Sequence, residues 1–318
     1  MAGHDSHGIG LLPQYVRHVM AGLVIPNTGV RLDVDGGMVL RFDGRRGYGG
    51  RVAAEAMDIA IKRCRQLGLV AMSLAGAHHI GRVGAFGEQA IAADLISIHF
   101  VNAVDHPPIV APFRSRSARF TTNPICIAIP GNETVPRFLL DMATTRIALG
   151  KARVAMNENR PLNKGTVIDA EGRPSHDASV MFDEPLGALL PVGEHKGYGL
   201  AMACELLAGL LSGGGTLQPD NERRGGIVNN MFAILLNPLR FGDGHWLARE
   251  FDAMTDYVKS TPPTDPELPV LIAGEPEQQA ADMRRRAGVP IDATSWEEIL
   301  AAGEPPGLAP RDLLSLID

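Results

Sequence analysis

The sequence predicts an α/β or α+β protein built on a mixed sheet, and three observations carry that prediction. Segments 12–20 and 52–67 repeat apolar residues at helical spacing. Short apolar runs at 69–75, 96–101, 125–129, 138–141 and 231–236 have the length of buried strands. Helix and strand also alternate between 52 and 101, the pattern of a layered fold. With 318 residues, 45% of them hydrophobic, the chain can bury one large core or form two domains of ordinary size.

Each element has its own signal. Leu12, Tyr15, Val16, Val19 and Met20 form one helical face, with Pro13 suited to the first turn and Gly22 to the stop, so His7 stands just before an anchored helix. Val52, Ala56, Met57, Ala60, Ile61, Cys64 and Leu67 form the next face, ended by Gly68, and the strand 69–75 follows at once. Val83, Phe86, Ala90 and Ile91 make a helix within 81–93 before the strand 96–101. Strand, helix and strand in that order predict a parallel crossover. Segment 196–211 is apolar on nearly every side, with Glu205 its only charge beyond Lys196, and reads as a helix in the middle of the core. The Pro-, Gly- and Asp-rich stretch 157–194 reads as loops open to a ligand site. After Gly274 two or three terminal helices are expected, one opened by Ser295 with Glu298 in a capping box. There is no internal repeat. Residues 1–70 with 240–318 are expected to form a mainly helical substrate and dimer region around a cofactor-binding unit at 71–239.

The formal charge of −6 and the absence of long Lys or Arg blocks give no electrostatic footprint for nucleic acid or an anionic membrane surface. No apolar run reaches bilayer length, and the first residues lack a signal-peptide pattern. Cys64, Cys126 and Cys204 lie among apolar neighbours without CxxC spacing, as buried thiols of a reducing compartment do. The expected setting is the cytoplasm and the expected partner a small molecule.

Five segments offer chemistry. His4 and His7 flank Asp5 and Ser6, short polar residues able to fix an imidazole's tautomer; the plain alternative is a solvated turn. His78 and His79 fall at a strand's carboxyl end, where α/β sheets gather ligands, and Gly81, Gly84 and Gly87 follow as a backbone that a phosphate can approach. Spaced GxxGxxG, these glycines are not the dinucleotide fingerprint, and no Walker loop is present, so a nicotinamide enzyme with this sequence needs another fold. His195 and Lys196 open the apolar helix, where free N–H groups and a cation meet an anion. Asp141 either receives a ribose hydroxyl or pairs with Lys151; Asn229 and Asn230 read as turn or ligand residues. Histidines at 4, 7, 78, 79, 99 and 106 raise the alternative of a metal-dependent hydrolase, but HExxH and two-histidine-one-carboxylate spacings are missing, and no metal is expected.

Taken together, these segments resemble the type-2 malate/lactate dehydrogenase family, which is distinct from the Rossmann-fold dehydrogenases. The likeness runs through Gly3 to Gly10 with Pro13 and Tyr15, His78 to Gly84, Thr122-Asn123-Pro124, Asp141 to Thr144, Gly150-Lys151, Glu194 to Tyr198 and Gly274-Glu275. Ile98 to Val101 and Val110 to Phe113 bring it nearest the family's hydroxycarboxylate dehydrogenase branch. The resemblance implies a mixed-sheet fold of its own kind, a homodimer with its active site near the subunit interface, and hydride transfer between NADH, in preference to NADPH, and a 2-oxo acid. NADPH-dependent reduction of a cyclic imino acid is the alternative within the family.

By motif, the resemblance puts His7 beside the nicotinamide and matches His79 to a proton acceptor. Gly81, Arg82, Val83, Leu139, Leu140, Asp141, Met142, His195, Asn229, Ala273, Gly274 and Glu275 contact the cofactor. On this reading His7 or His79 donates the proton, Asp5 and Ser6 orient His7, and Lys196 assists with charge. Leu11 stands where many members carry an Arg for the substrate carboxylate, which leaves Arg45, Arg46 and Arg82 as candidates for that contact. Family members also carry further helix before the Gly3 to Gly8 motif, so the first helices are expected to lack part of their usual cover.

Overall fold

The computed structural model describes residues 1–131, 137–304 and 306–307, the side chain of Ser6 excepted. The chain folds around a seven-stranded sheet made of β1 (Arg31–Asp35), β2 (Val39–Asp43), β3 (Leu69–His78), β4 (Ile96–Val104), β5 (Ile125–Ile129), β6 (Phe138–Met142) and, late in the chain, a strand at Val228–Leu236. A small three-stranded sheet supplies β7 (Val167–Ile168), β8 (Pro174–Ser175) and β9 (Ala188–Leu189), which makes the late strand β10. The stretch 157–194, expected as loops, thus holds short strands.

The order of the large sheet is β1-β2-β3-β10-β4-β5-β6. Only β2 and β3 pair in parallel; every other neighbouring pair is antiparallel. The expected crossover is therefore present in direction but not in adjacency. Both β3 and β4 run antiparallel to β10, which lies between them and pairs along its length with each. The sheet takes strands from both sides of position 70.

Eight α-helices surround the sheets among the described residues: α1 (Leu12–Met20), α2 (Gly49–Leu67), α3 (Gly84–Ile91), α4 (Leu149–Asn157), α5 (His195–Ser212), α6 (Gly244–Lys259), α7 (Glu275–Ala287) and α8 (Ala293–Ala301). α2 and α3 pack on one face of the sheet, where Val52, Ala56, Met57, Ala60 and Phe86 meet Leu40, Phe42, Met72, Leu74, Met231 and Leu235 in the main core. Alternation along β10 turns Asn230 to the other face, against the segment that leaves α5.

The middle-of-the-core reading of α5 is corrected by this packing. Only its small-residue face, with Gly197, Ala201, Cys204, Ala208 and Gly209, is buried, while Leu200, Met202, Leu206, Leu210 and Leu211 are exposed. Glu205, the helix's buried charge, accepts hydrogen bonds from Asn102 Nδ2 at 3.1 Å, Asn123 Nδ2 at 2.7 Å and the Leu217 amide at 2.6 Å, which satisfies a group otherwise costly to bury. The capping box is also displaced: Asp292 caps α8 by accepting from the Ser295 amide at 2.9 Å, so Ser295 lies inside the first turn. No described helix is long and apolar enough to cross a membrane.

Candidate active site

The site forms where β3 ends. His78 is the last residue of that strand and buried, and His79 is the first residue beyond it. α2 begins directly beneath them: a Cβ on Gly49 would lie 1.9 Å from the His78 carbonyl oxygen and 2.4 Å from that of His79. The side chain of Asn229 fixes the next residue, since its Oδ1 accepts from the Ile80 amide at 2.9 Å and its Nδ2 donates to the Asn102 carbonyl at 2.9 Å. Asn229 and Asn230 are thus strand residues of β10, and the turn reading is corrected.

Two segments bring further imidazoles and a phenol. The 3-10 turn Asp5–His7 places the His7 ring 5.5 Å from that of His79, nearly parallel to it. α1 brings Tyr15, whose hydroxyl lies 2.6 Å from His79 Nδ1 and whose ring meets that of His78 edge-on at 5.1 Å. His18, one turn further along, lies with Nδ1 2.8 Å from His78 Nε2. Sequence reasoning placed Tyr15 on the helix face and passed over His18; three-residue spacing from Tyr15 was the available signal.

The N-terminal turn is held by α7. His4 Nε2 approaches Glu277 Oε1 at 3.0 Å, and Arg284 donates to both carboxylate oxygens of Asp5 at 2.6 and 2.8 Å. Asp5 is therefore an anchor to α7. Ser6's side chain lies outside the described residues. Nothing local to the motif pointed to Glu277 or Arg284, which are contributed from the far end of the chain.

Gly81, Arg82 and Val83 make the turn from β3 to α3. The Gly84 amide donates to Asp141 Oδ2 at 2.9 Å, and Arg82 reaches Glu88 at 2.6 Å and Asp141 at 3.6 Å. Asp141 thus pairs with Arg82 and not with Lys151, which is exposed on α4. Gly84 and Gly87 serve helix-to-strand contact here: a Cβ on Gly87 would meet Cys126 and Leu139 at 2.9 Å. Leu139 and Asp141 face α3, so Leu140 and Met142 point to the opposite side of β6. The Leu139 amide donates to the Ala273 carbonyl at 2.9 Å, which joins residues 139–142 to 273–275 at the start of α7. Glu275 is buried; its carboxylate accepts from the Ile272 amide at 2.8 Å and pairs with Lys259.

His195 and Lys196 stand exposed at the first turn of α5, with the His195 ring 5.8 Å from Phe113. Among the described residues, the ring and hydrogen-bond contacts of the histidine cluster do not extend to them. Arg46, a candidate for the substrate carboxylate, is paired with Asp105 at 3.2 Å, and Arg82 is engaged as above. Arg45 is exposed. A shallow cavity of about 520 Å³ opens elsewhere, between Phe113, Arg114, Arg146, Lys164 and Glu194. No group of three or more His, Cys, Asp or Glu among the described residues is placed to hold a metal ion.

The electrostatics separate the histidines. Burial, reinforced by the surrounding imidazoles, pushes His79 down to about 3, and burial pushes His78 down to about 4. Both are neutral near pH 7. His7 is also lowered by desolvation, but the Asp141 carboxylate opposes the shift. Asp141 is itself raised, chiefly by burial, against the Gly84 amide and Arg82. Tyr15 is pushed up to about 12 by burial and keeps its proton. His7 is therefore the imidazole in the cluster with an attractive charge opposing its desolvation, and the one best placed to gain and lose a proton.

Comparison with known proteins agrees with this architecture. The family model for malate/L-lactate dehydrogenase matches residues 1–300. Hydroxycarboxylate dehydrogenase B of Escherichia coli strain K12 is 41% identical over 315 residues, covering 98% of this chain and 86% of that protein. L-lactate dehydrogenase of Cupriavidus necator is 45% identical over 261 residues, covering 82% and 75%. A solved structure described as a putative malate/lactate dehydrogenase from E. coli superposes with a TM-score of 0.94 at 40% identity, covering 99% of this chain and 87% of that one. The chain belongs to the malate/L-lactate dehydrogenase family.

Proposed function

We infer that the protein is a nicotinamide-dependent oxidoreductase that interconverts a small 2-oxo acid and its 2-hydroxy acid, with NADH as the proposed donor and cytoplasm as the proposed setting. The observation that carries this reading is the stacked pair His7 and His79 beside Asp141, because the reaction needs a titratable proton at the carbonyl oxygen. The first turn of α5 suits the diphosphate of such a cofactor. Its Lys196 and Gly197 amides donate to the Gly193 and Val192 carbonyls, so the proposed contact is made by the Lys196 ammonium, against which the N-cap carboxylate of Glu194 works. The start of α7 suits a neutral part of the cofactor better, since Glu275 and Glu277 occupy its first turn. Residues 81–83, 139–142 and 273–275, joined as described, are the proposed remaining contacts.

When bound, the nicotinamide supplies or accepts the hydride. His7 holds the proton that the developing alkoxide takes up, Asp141 steadies its protonated form, and the neutral His79 adds a hydrogen bond. Lys196 is proposed to assist with charge. NADH preference rests on the resemblance carried by His78 to Arg82, Ile98 to Val101 and Val110 to Phe113. The exposed apolar stripe of α5 supports a homodimer.

The test follows NADH and NADPH absorbance against a panel of 2-oxo acids, with cyclic imines included. Turnover of 2-oxo acids is expected, and His7→Gln should lower kcat by about two to four powers of ten. Near-wild-type rates in both His7→Gln and His79→Gln would overturn the site.

A further inference from the structure

We propose that Tyr15 is a positioning residue whose hydroxyl donates to Nδ1 of His79 and so holds that ring as the tautomer carrying its proton on Nε2. The contact is short, 2.6 Å, and bridges α1 and the loop after β3. The phenol is itself clamped: its ring meets His78 edge-on at 5.1 Å and Tyr48 at 6.5 Å. On the other side His79 is backed by the stacked His7 ring. The hydroxyl is thus delivered to one ring nitrogen by packing on both sides.

The direction of the bond follows from acid–base chemistry. A neutral imidazole has one N–H and one lone pair, and a phenol is both the stronger acid and the weaker acceptor of the two. Burial keeps Tyr15 protonated and His79 neutral at the pH where the enzyme would work. Tyr15 donates, Nδ1 accepts, and Nε2 is left as a donor.

The consequence rests on the proposed dehydrogenase reading. With Nε2 protonated and Nδ1 occupied, His79 presents its Nε2–H as a fixed hydrogen-bond donor to a substrate oxygen.

The tautomer is read directly by ¹⁵N NMR of the histidine side chains near neutral pH, with the His79 signals identified by their loss in His79→Gln. Wild type should show a protonated Nε2 and an unprotonated Nδ1. Tyr15→Phe keeps the ring and removes the donor, and its His79 signals should move toward the average of exchanging tautomers. In the same variant kcat for a 2-oxo acid should fall about five- to tenfold, the loss of one hydrogen bond, with KM for NADH unchanged. A wild-type His79 protonated on Nδ1, or an unchanged tautomer in Tyr15→Phe, would overturn the proposal. Should Tyr15→Phe not fold, the wild-type spectrum alone decides. Absence of any 2-oxo acid turnover with the predicted tautomer in place would refute the dehydrogenase reading and leave the positioning role standing.

Discussion

At the scale of single residues, His7 is where environment and chemistry can be compared most directly. Desolvation lowers its affinity for a proton and Asp141 partly restores it. A ¹H NMR titration of the free protein should therefore give a midpoint for His7 below the ordinary 6.5. Asp141→Asn removes the charge that favours imidazolium, so the midpoint should fall further; a rise would show that Asp141 does not act on His7. The sign carries through to turnover. Reduction consumes the proton on His7, so its rate should decline as pH rises through the midpoint, whereas oxidation needs the neutral ring and should gain. His7 and His79 were legible in the sequence because residue type and position coincide there. The anchoring of Asp5 was not, because proximity along the chain says nothing of Arg284, which reaches Asp5 from α7.

Among the elements, the seam between α2 and the end of β3 positions the site most tightly. Gly49 allows the helix to start against the carbonyls of His78 and His79, and any side chain there must displace backbone. Gly49→Ala should cost about 1–3 kcal/mol of stability by overpacking, measured from the urea midpoint, and lower kcat together, because the strained backbone carries both histidines. Full activity with unchanged stability would mean that the seam yields freely. The helices at 12–20 and 52–67 were readable because their apolar residues keep a helical period, and the five strand segments because each is a short apolar run. β1 escaped notice because Arg31, Asp33 and Asp35 put charge on an edge strand whose residues are all exposed, whereas β2 does alternate, with Leu40 and Phe42 buried, and was passed over for its shortness. α4 and α6 also went unread. α6 does carry Leu247, Phe251, Met254 and Val258 at helical spacing, and it was passed over.

For the whole molecule, the position of β10 could not be read, since a strand near residue 230 inserting between β3 and β4 is a long-range choice with no local mark. The same is true of α5, whose apolar sequence fits a core helix but whose large side chains face outward. Its buried face is made of small residues that let it lie close to the sheet, while Met202, Leu206 and Leu210, spaced four apart, form an exposed stripe beside Leu200 and Leu211. A contiguous apolar stripe on a helix that opens at the proposed diphosphate site is what a subunit interface near the active site would require. The protein should therefore run as a dimer in light scattering at micromolar concentration. Leu206→Glu with Leu210→Glu places two carboxylates on the stripe without touching the buried face, so the helix should stay folded by circular dichroism while the dimer dissociates. If the active site draws on the partner, kcat/KM should fall with dissociation and recover as protein concentration is raised. A wild-type monomer, or a double variant that remains dimeric, would place the interface elsewhere.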